Sequence, residues 1–114
     1  MDERFAQQLK KGVLEMLVLK LVCREATYGY ELLSRLKEGS EGMFSLKEGT
    51  LYPILYRLED EGMIAASWTA GEGKVAPKKI YTATEKGREE NLRRQVHWKD
   101  FTAMVNSMLG EEET

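Results

Sequence analysis

The chain has 114 residues, which predicts one small domain with a limited buried core, so that dimerisation would add stability. Its net charge of −2 counts against a strongly basic nucleic-acid-binding protein, and its single cysteine, Cys23, excludes an internal disulfide and fits a reducing cytoplasm. No apolar run is long enough to span a bilayer, and the polar N-terminus does not resemble a signal peptide, so no membrane partner is expected.

The first predicted helix covers residues 4–24 and is apolar on more than one face. Such a helix needs more than one packing partner, and in so small a domain one partner can come from a second subunit. Cys23 lies in this apolar stretch and is expected to be a small buried hydrophobe. The apolar rows are Leu9, Val13, Leu17 and Leu21, and Leu14, Val18 and Val22.

A second helix is predicted after Thr27, whose side chain is a candidate N-cap. Its apolar positions are Tyr30, Leu32, Leu33 and Leu36, and a loop with Gly39, Ser40 and Gly42 ends it.

The third predicted helix has one buried face. Ser45 begins a capping-box pattern, but a start there would place Pro53 in the second turn, against the carbonyl four residues earlier. A start near Lys47 or Glu48 reduces that cost and is the one we predict, with Gly62 ending the helix. The i, i+3, i+4, i+7 stripe is Leu51, Ile54, Leu55 and Leu58.

Two strands are predicted over residues 64–70 and 78–83, joined by a flexible tip at residues 71–77. This hairpin is basic, which suits phosphate contacts, although a solvated loop is the simpler alternative. Its lysines are Lys74, Lys78 and Lys79, and its one acid is Glu72.

The last predicted helix is capped by Thr84, runs to about Leu109 and stops at Gly110, before the acidic tail Glu111–Glu113. Its apolar residues follow a heptad seam, typical of a dimer core. The seam is Trp98, Phe101, Val105 and Met108, widened by Leu92, Val96, Met104 and Leu109.

Three helices followed by a basic-tipped hairpin indicate a winged helix-turn-helix, so the fold class is mainly α with a β-hairpin. Residues 1–83 form the predicted DNA-binding unit, and residues 84–114 form the dimerisation helix and tail. The exposed face of the third helix is small and hydrogen-bonding and can enter the DNA major groove.

Several segments of the chain form recognisable motifs, namely Tyr28–Leu32, Glu48–Pro53, Tyr56–Glu59 with Glu61 and Gly62, Lys78–Tyr81 with Thr84, and Lys86 with Gly87. In these segments the chain resembles the PadR family of transcriptional regulators, in particular its short branch with one C-terminal helix, which includes multidrug sensors. The resemblance implies a cytoplasmic homodimer that represses nearby genes, with the long helix packed on the first helix of the partner. Lys47 departs from the family, which commonly has a capping Ser or Asn there.

Candidate DNA contacts combine cations, hydroxyls and helix N-termini, and two-fold symmetry predicts a pseudo-palindromic operator. Arg57 could instead pair with Asp60 or Glu61, and Tyr52 could be a half-buried core residue. Of Tyr28 and Tyr30, one is expected in the core. The candidates are Tyr28, Tyr30, Lys47, Gly49, Thr50, Tyr52, Pro53, Arg57, Lys74, Lys78 and Lys79.

A ligand site is predicted by resemblance at the dimer interface, where Trp98 and its symmetry mate would sandwich a planar aromatic compound. Plain dimer packing is the alternative role of this tryptophan. Position 102 is Thr rather than an acid, so a preference for cationic drugs is not supported. The candidate lining is Leu9, Gly12, Val13, Trp98 and Phe101.

Enzyme chemistry is not expected, because the chain has no P-loop, Rossmann glycine pattern or catalytic triad. No cofactor or metal is expected either: His97 is the lone histidine and has no zinc-ligand spacing with Cys23. Three functions remain: a ligand-released repressor, a DNA-binding regulator without a ligand, and a winged-helix module that docks a protein.

Overall fold

A computed structural model of the chain describes residues 3–110, and the acidic tail therefore lies outside the described residues. The elements have the predicted types and order, so the winged helix-turn-helix with a long last helix is confirmed. Within the described range, no helix is long and apolar enough to cross a membrane. The elements are α1 (Glu3–Arg24), α2 (Gly29–Gly39), α3 (Glu48–Asp60), β1 (Ile64–Trp68), β2 (Lys79–Ala83) and α4 (Glu85–Leu109).

The core lies where α1, α2 and α3 meet the β-hairpin. Leu19 on α1, Leu32 on α2 and Leu55 on α3 are fully buried there, and Tyr81 closes the core from β2. Each large side chain buried in this way contributes about 1.5–3 kcal/mol, so the core fixes how α3 is presented. Cys23 is only half-buried at its edge, and burial raises the pKa of its thiol.

The predicted cap of α2 is wrong. Tyr28 is the N-cap residue, and its side chain makes no cap hydrogen bond. Thr27 lies one residue before it and is bound elsewhere. The Thr27 N–H donates to the Tyr81 carbonyl at 3.1 Å, and the Tyr81 N–H donates back at 2.7 Å. The Thr27 hydroxyl donates to Glu31 Oε1 at 2.8 Å. Thr27 thus forms an isolated antiparallel bridge with Tyr81 of β2, beside the two-stranded hairpin.

The helix α3 begins late and ends at Gly62, as predicted. Lys47 is its N-cap residue without a side-chain bond, while the Ser45 hydroxyl donates to the Gly42 carbonyl at 2.9 Å and forms no capping box. Gly62 has φ +77°, and the Met63 N–H donates to the Leu58 carbonyl at 2.9 Å. Together with the Gly62 bond to Glu59, this is a Schellman end, which turns the chain into the wing.

The wing is an antiparallel hairpin paired from Ile64↔Ala83 to Trp68↔Lys79. Both strands are shorter than predicted. Beyond Trp68, the Thr69 N–H still donates to the Lys78 carbonyl at 2.8 Å, but the Lys78 N–H donates to the Thr69 hydroxyl instead of a backbone carbonyl. Trp68 shares a strand face with Ile64 but extends past the core, so it is 68% exposed.

The helix α4 starts at a predicted cap: the Gly87 N–H donates to the Thr84 hydroxyl at 3.0 Å. That hydroxyl in turn donates to the Gly62 carbonyl at 2.6 Å, which ties α4 to the end of α3. Gly87 is buried against the Met63 carbonyl, where a Cβ atom would overlap it. Gly87 and Asn91 are the buried residues of α4, and most of its remaining length is exposed.

Candidate nucleic-acid interface and ligand groove

The exposed face of α3 is small, polar and open. Gly49, Thr50, Pro53 and Tyr56 are exposed, and the apolar stripe on the opposite side is buried. A Cβ atom built at Gly49 would have no heavy atom of another element within 4 Å, so the start of this face is unobstructed. Base edges or phosphates can therefore approach the helix closely.

Tyr52 joins α3 to the N-terminus of α2. It is half-buried beside the core, and its hydroxyl lies so close to Gly29 that a Cβ atom there would overlap it. Its ring centroid is 6.1 Å from that of Tyr56, which is itself 52% exposed. The geometry thus gives Tyr52 a packing role between the two helices, while Tyr56 extends the same aromatic surface toward solvent.

The wing lysines lie over this aromatic surface. Lys78 Nζ is 4.4 Å from the ring centroid of Tyr28, at the start of α2. Lys79 Nζ is 5.5 Å from the centroid of Tyr56, on α3, and 3.8 Å from Glu59 Oε1. These cation–π contacts align the base of the wing with both helices of the turn motif. Lys74 is exposed at the hairpin tip, away from this cluster.

Tyr81 lies beneath the lysines and remains neutral. Burial is the largest cause that raises its pKa to about 12, and the nearby Tyr52 and Glu59 add to the effect. Its hydroxyl is buried and has no hydrogen-bond partner among residues 3–110. Tyr81 therefore adds no charge beside Lys79, whose ammonium group is paired with Glu59.

The remaining DNA-binding candidates differ in position. Tyr30 is 74% exposed on α2, and Tyr28 is half-buried, so neither belongs to the core and the prediction that one would is wrong. Lys47 is exposed at the start of α3. Its ammonium group opposes the helix dipole there, and it is available for a phosphate.

Arg57 does not pair with Asp60 or Glu61, contrary to that alternative. Its Nη2 atom lies 3.0 Å from Glu15 Oε1 on α1. The helical turn places Arg57 on the flank of α3 that faces α1, and the guanidinium reaches across rather than down its own helix. The partner of Arg57 is therefore on α1 and not on its own helix.

Three residues of this interface were not among the site residues predicted from the sequence. Tyr56 carried a signal, since helical spacing already placed it on the polar face of α3. Tyr81 lies on the same strand face as Lys79 and Ala83, and the alternation did not show which face of β2 is buried. Glu15 had no signal, because it meets Arg57 across 42 positions of sequence.

A groove of about 1030 Å³ runs between α1 and α4. It brings together all of the ligand-site candidates, from the N-terminal half of α1 and the middle of α4. Trp98 is 40% exposed in the groove and Phe101 is 50% exposed. The candidates that line it are Leu9, Gly12, Val13, Trp98 and Phe101.

The inner end of the groove is charged. Glu15 from α1 and Glu90, Arg93 and Arg94 from α4 line it. A hydrogen bond from Arg94 is the largest cause that lowers the pKa of Glu90, so this carboxylate stays ionised. The Thr102 hydroxyl donates to the Trp98 carbonyl at 2.9 Å and is thus satisfied within its own helix.

Among the described residues, no group of three or more His, Cys, Asp or Glu side chains is arranged to hold a metal ion. The histidine of this chain, His97, is exposed and lines the groove between α1 and α4.

Comparisons with known proteins agree on one family. The model of the "Transcriptional regulator PadR-like family" matches residues 18–93. A crystal structure of a PadR family transcriptional regulator from Eggerthella lenta is 31% identical, with a TM-score of 0.83, and the match covers 96% of this chain and 92% of that one. A PadR-like transcriptional regulator from Bacillus cereus is 32% identical with a TM-score of 0.77, covering 92% and 99%.

One curated relative is much longer than this chain. The negative transcriptional regulator PadR of Bacillus subtilis is 36% identical over 78 residues, which are 68% of this chain and 42% of that protein. The chain thus spans less than half the length of this relative.

Proposed function

This chain belongs to the PadR-like family of transcriptional regulators, and we propose that it acts as a homodimeric repressor that releases its operator when an aromatic ligand binds. The family consists of regulators rather than enzymes. Residues 1–83 would bind DNA, and residues 84–114 would form the dimer contact. The observation that carries the proposal is the alignment of the wing lysines with the open face of α3.

In the proposed complex, α3 enters the major groove with the face that begins at Gly49. Lys78 and Lys79 contact the flanking phosphates, and Lys74 reaches a phosphate or the minor groove from the hairpin tip. Glu48, Glu59, Asp60 and Glu61 offset much of the basic charge around α3. We therefore expect few phosphate neutralisations per subunit and a shallow dependence of affinity on salt.

The dimer proposal rests on the apolar surface of α4 and α1. Phe5 and Leu9 on α1 are 54% and 55% exposed, and a band of exposed apolar side chains follows the outer part of α4. An exposed apolar surface of this extent is typical of an interface. A two-fold dimer would place the two copies of α3 about one helical turn apart on DNA, or a multiple of that, so the operator would be pseudo-palindromic.

The ligand proposal rests on the groove. Trp98 and Phe101 present ring surfaces there, and the volume is large enough for a compound of drug size. A planar ring system between the two indoles of a dimer would gain stacking energy as well as buried area. Such a ligand would act only by binding one dimer arrangement more tightly than the other.

The first test is a gel shift with the DNA just upstream of the gene that encodes the chain, at low and moderate salt. We expect a discrete, competitor-resistant band that weakens as salt rises. The double variant Lys78→Ala/Lys79→Ala should lose it, whereas Lys99→Ala, which removes an exposed charge from α4, should keep it. No band at low salt from a folded dimer would favour the protein-docking alternative.

The second test concerns the ligand. In a Trp68→Phe background, Trp98 is the remaining tryptophan, so its fluorescence reports on the groove. Titration with acridine should give saturable quenching and weaken the gel-shift band. A band that withstands acridine and related planar heteroaromatic compounds, with no quenching, would leave the regulator without a ligand.

A further inference from the structure

The helix α3, the proposed recognition helix, has one arginine, Arg57, and this arginine pairs with α1. Arg57 reaches out of α3 to Glu15, with 3.0 Å between Nη2 and Oε1. The side chain of Arg57 is 56% exposed in this contact, and that of Glu15 is 28% exposed. An ion pair open to solvent contributes little net stability, so Arg57 is held in place without being locked there.

The same carboxylate also faces the groove. Glu15 Oε2 lies 3.8 Å from Arg94 Nη1, and Arg94 Nε lies 2.9 Å from Glu90 Oε2. Both Glu15 and Arg94 line the groove between α1 and α4. Glu15 is therefore a single charge shared by two guanidinium groups, one on the recognition helix and one in the groove.

A DNA phosphate would be a third candidate partner. A guanidinium binds phosphate through charge-assisted and often bidentate hydrogen bonds, which are stronger than a single exposed contact to a carboxylate. Arg57 cannot make its full set of such bonds to phosphate while Glu15 occupies Nη2.

We propose that Glu15 and a DNA phosphate compete for Arg57, and that Arg94 in the groove sets how firmly Glu15 holds it. This inference rests on the proposed function, since it assumes that α3 binds DNA. When Arg94 attracts Glu15, Arg57 is released toward DNA. When Arg94 is drawn away, Glu15 retains Arg57 and DNA binding weakens, so Arg94 links the groove to the recognition helix.

The test is the DNA affinity of Glu15→Gln, measured by fluorescence anisotropy over a range of salt. We expect the dimer to bind about three- to tenfold more tightly, because each subunit loses one weak competing ion pair. The plot of log affinity against log salt should steepen by nearly 2, since each new phosphate contact adds about 0.9. Glu15→Asp keeps the charge but shortens the side chain, so its DNA affinity should lie between those of the unmodified chain and Glu15→Gln.

Two controls separate competition from a general charge effect. Glu61→Gln removes an equal charge next to the end of α3, and its smaller gain gives the background. In an Arg57→Gln chain, Glu15→Gln should add no more than that background. Arg94→Gln should weaken DNA binding when Glu15 is present and leave it unchanged in the Glu15→Gln chain.

The outcomes distinguish the two proposals. An unmodified chain that binds no DNA overturns the proposed function, and this inference with it. A chain that binds DNA but gains no more from Glu15→Gln than from Glu61→Gln overturns the inference alone, as does a gain that persists without Arg57. Thermal unfolding and sedimentation of each variant identify losses of fold or of dimer.

Discussion

The winged-helix part of the molecule buries its apolar side chains, whereas its last helix leaves most of its apolar side chains exposed. In α3, the three leucines and one isoleucine of the stripe are buried, and Tyr81 covers them from the wing. In α4, Leu92, Val96 and Met108 are 62%, 60% and 82% exposed. The first region buries its apolar surface within one chain, whereas the second exposes an apolar surface that a partner could cover.

The contrast extends to how each region is held. Backbone hydrogen bonds of the Schellman end connect α3 to the wing, and the contact of Tyr52 with Gly29 connects α3 to α2. The outer half of α4 has no such ties in the described chain beyond its own helix and the groove with α1. Stability and association should therefore respond to mutation in separate regions.

The largest effect is expected from truncating a buried leucine of α3. Leu55→Ala should lower the free energy of unfolding by about 2–5 kcal/mol, because it leaves a cavity in a fully buried site. The matched variant Leu109→Ala, at a position 75% exposed, should change it by less than about 0.5 kcal/mol. Urea unfolding at low protein concentration measures both. Similar losses in the two variants would abolish the contrast between the regions.

The next effect is alkaline destabilisation through Tyr81. Its pKa is raised to about 12 in the folded state, whereas an unfolded tyrosine titrates near 10, so between these values the unfolded chain loses the proton first. Stability is thus fully present below pH 10 and falls by about 2–3 kcal/mol as the pH approaches 12.

The control is Tyr81→Phe, which has no proton to lose and should flatten this part of the unfolding profile. Because the Tyr81 hydroxyl is buried without a hydrogen-bond partner, its removal should cost little at neutral pH. A profile that drops equally in the two proteins would assign the alkaline transition to other groups.

Much of the winged helix was predictable, because its signals are local. The stripe of α3, the glycine end at Gly62 and the Thr84 cap each depend on a few neighbouring residues, and the structure confirms all three. The cap at Thr27 was mispredicted for the opposite reason. Its backbone pairs with Tyr81, far along the chain, and a tertiary contact overrode the local capping preference.

The candidate site likewise has features that depend on local sequence and features that depend on tertiary contacts. The wing lysines and the open face of α3 follow from composition and helical spacing. The partner of Arg57 does not, since Asp60 and Glu61 are near in sequence while Glu15 is near only in space. Packing of α1 against α3 decides that pairing, and no periodicity encodes it.

A third, smaller effect tests α4 as an interface. Phe101 is 50% exposed and lies on the heptad seam, so its truncation should cost the folded subunit little. In the proposed dimer, Phe101→Ala should raise the dissociation constant about ten- to a hundredfold, the scale of an aromatic interface residue. Analytical ultracentrifugation over a dilution series measures it. Phe5→Ala on α1, also exposed, tests whether the first helix shares the interface.

The smallest effect concerns the backbone at the end of α2. Glu41 has φ +53°, a left-handed conformation that costs a residue with a Cβ atom, and it occupies the turn where the Gly42 N–H donates to the Lys37 carbonyl at 2.8 Å. Glu41→Gly should relieve that strain and raise the free energy of unfolding by about 0.5–1 kcal/mol, less the added entropy of the unfolded chain.

The matched control is Glu38→Gly, an identical substitution inside α2, which should destabilise the chain by about 1 kcal/mol. Thermal unfolding of the two variants should therefore shift in opposite directions from the parent protein. If both lower the midpoint, the strain at Glu41 is smaller than the combined effect of the added entropy of the unfolded chain and the loss of the Glu41 side chain. If the two midpoints shift in opposite directions, backbone strain at Glu41 lowers the stability of the winged-helix part. Packing of a partner subunit would leave that strain unchanged.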